Sequence, residues 1–145
     1  MCLGLCAGTV GWPGSLPGNN TSANADVLLS LGCRFTDWSA SSYRKGSAYS
    51  IPPGKLIHID IDPHEIGKNY QTECGITGDI KAVLGDILAG ISKQQAQRTS
   101  KARESYLDGI QGLKSQWEDI LERRRSVDTI PTLSLIHISE PTRPY

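Results

Sequence analysis

The sequence predicts an α/β fold: an open parallel sheet with flanking helices, followed by a linker helix. Three observations carry that prediction. Compact aliphatic runs at 27–31 and 55–62 are bounded by Gly or Pro, as buried parallel strands are. Apolar residues at 80–91 recur with helical spacing directly after a short third strand. Strand, loop, strand, turn, strand, helix is the order of an α/β unit.

Charge is unevenly spread over the 145 residues. Lys+Arg and Asp+Glu balance at 15 each, so net charge makes no case for nucleic acid or an anionic membrane. Residues 1–33 carry one charged side chain, Asp26, whereas 92–125 carry thirteen. No apolar run reaches the roughly 18 residues a membrane span needs, and the first residues lack the basic start of a signal peptide. A cytoplasmic location is expected. The four cysteines, Cys2, Cys6, Cys33 and Cys74, have no CxxC spacing and lie far in sequence from His58, His64 and His137. They read as small, partly buried side chains rather than zinc ligands or disulfides.

Residues 7–20 are rich in Gly and Pro, which make turns and admit close backbone approach. A short helical turn is expected over 22–25. Val27-Leu28-Leu29-Ser30-Leu31 reads as a buried parallel strand ended by Gly32. Residues 34–54 read as a long loop with room for one helical turn. Lys55 to Asp62 reads as a second strand, closed by Pro63, and His64-Glu65-Ile66-Gly67 as a turn. Gly75-Ile76-Thr77-Gly78 suits a third strand. Asp79 stands at an N-cap position. Behind it Ile80, Val83, Leu84, Ile87, Leu88 and Ile91 form one helical face that packs on the sheet. Residues 92–105 read as a polar linker or exposed helix start. Leu107, Ile110, Leu113, Trp117, Ile120 and Leu121 predict a second helix over about 101–124, despite Gly109 and Gly112. Arg123-Arg124-Arg125 then sits at its C-terminal end, where the dipole favours cations.

Open parallel sheets bind ligands beyond the C-terminal ends of their strands. Gly32 and Arg34 follow the first strand, Asp60 and Asp62 close the second, and Gly78 and Asp79 follow the third. Gly11 and Gly14 stand before the first helical turn. This set suits a nucleotide-like ligand. Glycines let backbone amides reach phosphates, Arg34 can pair with a phosphate through two nitrogens, and a strand-end Asp can accept ribose hydroxyls. Each also admits a plainer role: Gly11 and Gly14 as turn residues, Arg34 in an ion pair, Asp60 and Asp62 on loop amides, Asp79 as a helix cap. Gly8-x-x-Gly11-x-x-Gly14 is not the dinucleotide fingerprint. No nucleophile and base stand out. His58 reads as a packed strand residue, and His64 with Glu65 is a weak acid–base candidate. No catalytic centre and no metal-binding set is evident.

Three strings together carry a resemblance: Gly11-Trp12-Pro13-Gly14, the run from Ala25 to Phe35, and the run from Leu56 to Asn69, completed by Gly78-Asp79-Ile80-Lys81-Ala82-Val83-Leu84. The sequence resembles the central domain of thiamine-diphosphate-dependent enzymes, nearest the acetolactate synthase large subunit, over about 8–91. The resemblance implies a Rossmann-like sheet. It implies that residues 1–91 are part of a central domain and 92–132 a linker helix toward a C-terminal domain. In the family, the first and third domains bind thiamine diphosphate and Mg2+, outside this segment. There the cofactor ylid attacks a 2-oxo acid, carbon dioxide leaves, and the enamine adds to a second carbonyl compound. The family's central domain implies an FAD or ADP-like ligand near Gly11, Gly14, Gly32, Arg34, Asp60, Asp62, Gly78 and Asp79. It also implies a homodimer or homotetramer for the full-length protein, with a 2-oxo acid substrate and no nucleic acid or membrane partner.

Two departures matter. Trp12-Pro13 replaces the Met-His usual between these glycines, and Thr36-Asp37-Trp38 replaces Asp-Asp-Arg after the Arg-Phe pair. The absent second arginine removes a phosphate partner and counts against FAD. Residues 133–145 resemble the translation of a transposase sequencing adaptor and are set aside from the fold. The expected function is the non-catalytic middle domain of a 2-oxo acid carboligase fragment, inactive and poorly soluble by itself. A decarboxylase of the same family, a non-enzymatic nucleotide-binding module and a flavin or nicotinamide oxidoreductase are the alternatives.

Overall fold

The computed structural model describes residues 5–91 and 103–126. Three strands, β1 (Val27–Leu31), β2 (Lys55–Asp60) and β3 (Cys74–Thr77), form an open parallel sheet in the order β1-β2-β3. Val27 pairs with Lys55 and Leu31 with Ile59 on one side of β2; Ile57 pairs with Cys74 and Asp60 with Thr77 on the other. Helices α1 (Leu16–Ala23), α2 (Ile80–Gly90) and α3 (Glu104–Arg125) complete the Rossmann-like arrangement. Among the described residues no helix is long and apolar enough to cross a membrane.

The core sits on the central strand and on the loop before it. Leu56 and Ile59 are fully buried, as are Ala40 and Ala48. Phe35, 3% exposed, meets Tyr49, His58 and Tyr70 edge-on at ring-centroid distances of 5.2, 5.3 and 5.3 Å. Such T-shaped contacts set the positive edge of one ring on the negative face of the next. Burial pushes the Tyr49 phenol up to about 12, with Cys33 and Tyr70 adding to the effect. Tyr70 is raised by burial and by Tyr43. The long 34–54 segment is a series of turns that sends Phe35, Ala40 and Ala48 into the core and leaves Trp38 and Tyr43 exposed.

Several expectations are corrected. The helix near 22–25 runs instead from Leu16 to Ala23. Ser15 caps it by accepting the Gly18 amide at 3.1 Å, and Pro17 occupies its first turn, where a missing N–H costs nothing. Its sequence lacks an apolar stripe, so only the Ser-x-Pro cap announces it. β2 ends at Asp60, two residues early, because the Asp60 carboxylate takes the Asp62 amide at 2.9 Å and bends the chain. β3 is shifted one residue, to Cys74–Thr77. β1 lies as expected but is not buried: only Ser30 is, while Val27, Leu29 and Leu31 are exposed. The reason is that β1 is an edge strand of the described sheet, and these three side chains share a face that no described layer closes.

Asp79 caps α2 by accepting the Ala82 amide at 3.0 Å. No residue of α2 is buried. Ile80, Val83, Leu84 and Ile87 are half-buried, and Leu88 and Ile91 are exposed. The apolar face expected to pack on the sheet is thus only partly covered. α3 packs on α1, with Ile110 its one buried residue. Gly109 and Gly112 face open space, and Arg125 pairs with Glu118 and Glu122 on the solvated end. Cys6, Cys33 and Cys74 are free thiols; Cys33 is half-buried, but Cys6 and Cys74 are exposed rather than partly buried. The linker over 92–102, Cys2 and the tail 133–145 lie outside the described residues.

Candidate functional site

The hydrogen-bond ladder ends where the Gly32 amide donates to the Ile59 carbonyl at 2.8 Å and the Gly78 amide to the Asp60 carbonyl at 3.0 Å. Beyond these bonds the three strand ends open into one cleft of about 530 Å³, within the range of small-molecule sites. Gly32, Arg34, Asp60, Asp62, Gly78 and Asp79 all line it. Six residues scattered over three segments of sequence are brought together here. Gly32 and Gly78 are small for a packing reason as well. A Cβ would stand 3.2 Å from the Ile80 side chain at the first and 3.2 Å from Val83 at the second, so both let α2 approach the strand ends.

The carboxylates are held by local amides. Asp60 is 6% exposed, and its Oδ1 accepts the Asp62 amide. Asp62 Oδ1 accepts the His64 amide at 2.9 Å and lies 3.1 Å from His64 Nδ1. The His64 backbone amide, followed by the His64 ring, holds the Asp62 carboxyl below its ordinary range. Asp79 is engaged as a helix cap. The plainer roles read for Asp60, Asp62 and Asp79 are therefore real, and the same groups still face the cleft.

Arg34 is different. It is the one cation among the described lining residues, against the carboxylates of Asp60, Asp62, Glu65 and Asp79. Its guanidinium makes no hydrogen bond or ion pair with any described residue, so the ion pair weighed for it does not form there. A charge held at a cleft without a partner is available to an anion.

Gly11 and Gly14 do not line this cleft. They build the turn that leads into α1. The Gly11 amide donates to Asn19 Oδ1 at 2.8 Å, Asn19 Nδ2 returns a bond to the Gly11 carbonyl at 3.0 Å, and the Gly14 amide donates to that carbonyl at 2.9 Å. Gly11 has φ +108, and a Cβ there would fall 2.4 Å from the Trp38 carbonyl oxygen. Only glycine allows both the angle and the approach.

The His64–Glu65 pairing is not made: His64 turns to Asp62, and Glu65 forms an ion pair with Lys68 at 2.9 Å. His58 is 1% exposed, packed on Phe35 as read, and neither ring nitrogen has a partner among the described residues. Glu65, Ile61 and Ile80 also line the cleft and were not singled out for it. Ile61 and Ile80 had a signal, since each adjoins a chosen acidic residue; Glu65 reaches the cleft only because the turn after Pro63 folds back. Among the described residues no group of His, Cys, Asp or Glu could hold a metal ion.

Residues 4–87 match the family model described as the thiamine pyrophosphate enzyme, central domain. A probable acetolactate synthase large subunit of Methanocaldococcus jannaschii is 41% identical over 110 residues, 76% of this chain and 17% of that protein. Its counterpart in Methanococcus aeolicus is 35% identical over 115 residues, 76% of this chain and 18% of that protein. The acetolactate synthase large subunit of Haemophilus influenzae is 32% identical over 111 residues, 77% of this chain and 18% of that protein. The chain therefore spans less than a fifth of the length of these relatives.

Proposed function

The chain belongs to the thiamine pyrophosphate enzyme family as a central domain, and on that premise we propose that it is the middle part of a longer 2-oxo acid carboligase whose strand-end cleft holds an ADP-like nucleotide. Carboligation is favoured over simple decarboxylation because the relatives are named acetolactate synthases. In such a parent, thiamine diphosphate with Mg2+ is bound outside this segment and supplies a stabilised carbanion equivalent from the 2-oxo acid. The parent works as a homodimer or homotetramer. Residues 1–91 contribute to the central domain, 92–132 lead toward a C-terminal domain, and 133–145 are adaptor-derived.

The segment itself contributes binding. Arg34 takes the diphosphate, and Asp60 and Asp62 take ribose hydroxyls. Asp79 is already committed to the Ala82 amide, so the start of α2 presents a carboxylate rather than free amides to a phosphate. Arg34 supplies the cleft's partner for a diphosphate, and the carboxylates suit hydroxyls rather than further phosphate. With no second arginine at Trp38, FAD is the weaker fit. The observation that carries the reading is the Arg34 guanidinium, without a partner among the described residues, in the same cleft as the buried Asp60.

Calorimetric titration of the chain with ADP tests it. Saturable binding is expected, weakened about tenfold or more by Arg34→Ala, the cost of a charge-assisted bond. No binding at millimolar ADP, or an Arg34→Ala variant that binds as tightly as the parent, overturns it.

A further inference from the structure

Among the described residues Arg34 has no partner at its guanidinium, but its backbone is held. Asn69, 35 residues downstream, donates from Nδ2 to the Arg34 carbonyl at 3.0 Å and to the Phe35 carbonyl at 3.2 Å. Tyr43 Oη donates to the same Phe35 carbonyl at 3.1 Å. These bonds hold an uncommon conformation. Phe35 has φ +48, the left-handed region that a bulky L residue rarely adopts. Gly32, at φ +63, turns the chain on the other side of Arg34. Between these two reversals the chain sends the Phe35 ring into the aromatic core and leaves Arg34 at the cleft.

The ring packing of Phe35 fixes where that side chain goes. It does not fix the Arg34–Phe35 peptides, whose carbonyls would otherwise lose their partners when the chain reverses. Asn69 supplies both with a donor, and it does so from the segment that follows Asp60. The cationic and acidic sides of the cleft are thereby tied together. We infer that Asn69 is a positioning residue for nucleotide binding, holding the Arg34–Phe35 turn so that the guanidinium faces the diphosphate. This rests on the reading of the cleft as an ADP-like site.

The test compares ADP with adenosine, which has no phosphate for Arg34 to meet. Asn69→Leu keeps the approximate size and removes the donor without adding charge. In the full chain it should weaken ADP about tenfold, the worth of two lost hydrogen bonds, and leave adenosine affinity unchanged. Arg34→Ala should show the same split. Tyr43→Phe removes one of the three donor contacts and should show a smaller split, which also serves if Asn69→Leu fails to fold. Equal losses for both ligands, or ADP affinity unchanged in Asn69→Leu, overturn the inference while leaving the cleft reading intact. A wild-type chain that binds neither ligand overturns both.

Discussion

The two faces of one small sheet contrast sharply. On the first, Leu28 and Ser30 of β1 lie in register with Leu56 and His58 of β2, and the aromatic layer centred on Phe35 covers His58. On the second, Val27, Leu29 and Leu31 are 53%, 46% and 40% exposed, although they are at least as apolar as their neighbours across the sheet. Ile59 of the central strand is nonetheless buried on that face, so the open part is the stretch along β1. Parallel strands are stable with both faces covered. The difference shows that an aliphatic strand states only its capacity for burial. The layer opposite decides whether the capacity is used.

That contrast can be broken at its strongest point. Phe35→Ala should cost about 3–5 kcal/mol, the usual loss for a buried aromatic ring. It removes the common partner of Tyr49, His58 and Tyr70 together. Chemical denaturation followed by circular dichroism reads the loss, and a change below about 1 kcal/mol would show the aromatic layer to be loosely packed.

The same layer can be titrated. An unfolded tyrosine ionises near pH 10, whereas Tyr49 is held up to about 12, chiefly by burial. Above pH 10 the unfolded chain therefore gives up a proton that the folded one retains. The contribution of Tyr49 to stability is complete below that pH and is lost as pH climbs toward 12. Across this window denaturation midpoints should fall as tyrosinate absorbance rises. Tyr49→Phe should flatten the dependence; an unchanged slope would remove Tyr49 as its source.

Smaller effects sharpen the other side of the comparison. Asp79→Ala should cost about 1 kcal/mol, the worth of a helix N-cap, because α2 has little packing to compensate for it. Leu29→Ser, on the open face, should change stability by no more than about 0.5 kcal/mol and should raise the soluble fraction. A loss like that of Phe35→Ala would mean that a further layer covers β1 in solution.

What could be read beforehand follows the range of each interaction. The sequence places β1 to the residue and α2 to within one, because Gly32 and the Asp79 cap are local signals. α1 is barely legible: it has no apolar periodicity, and only the cap of Ser15 on Gly18 marks its start. At the site, Arg34, Asp60, Asp62 and Asp79 were legible as strand-end residues, since topology sends such ends to one edge. Glu65 was not, because its place depends on how the turn after Pro63 folds. The clasp of Asn69 on Arg34 and Phe35 was not either, because it joins segments that nothing in the sequence shows to be neighbours.

The sequence by itself determined the order of strands and helices, the residues at the strand ends and the family. Those depend on periodicity, caps and short motifs, all set by residues a few positions apart. Only the tertiary structure decided that Gly11 and Gly14 build a turn away from the cleft, that Arg34 is left without an ion pair among the described residues, and that one face of β1 stays open. Each of these depends on which distant backbone or side chain arrives within a few ångströms. For Gly11 it is the carbonyl of Trp38, for the Arg34 turn it is Asn69, and for β1 it is the lack of a described layer.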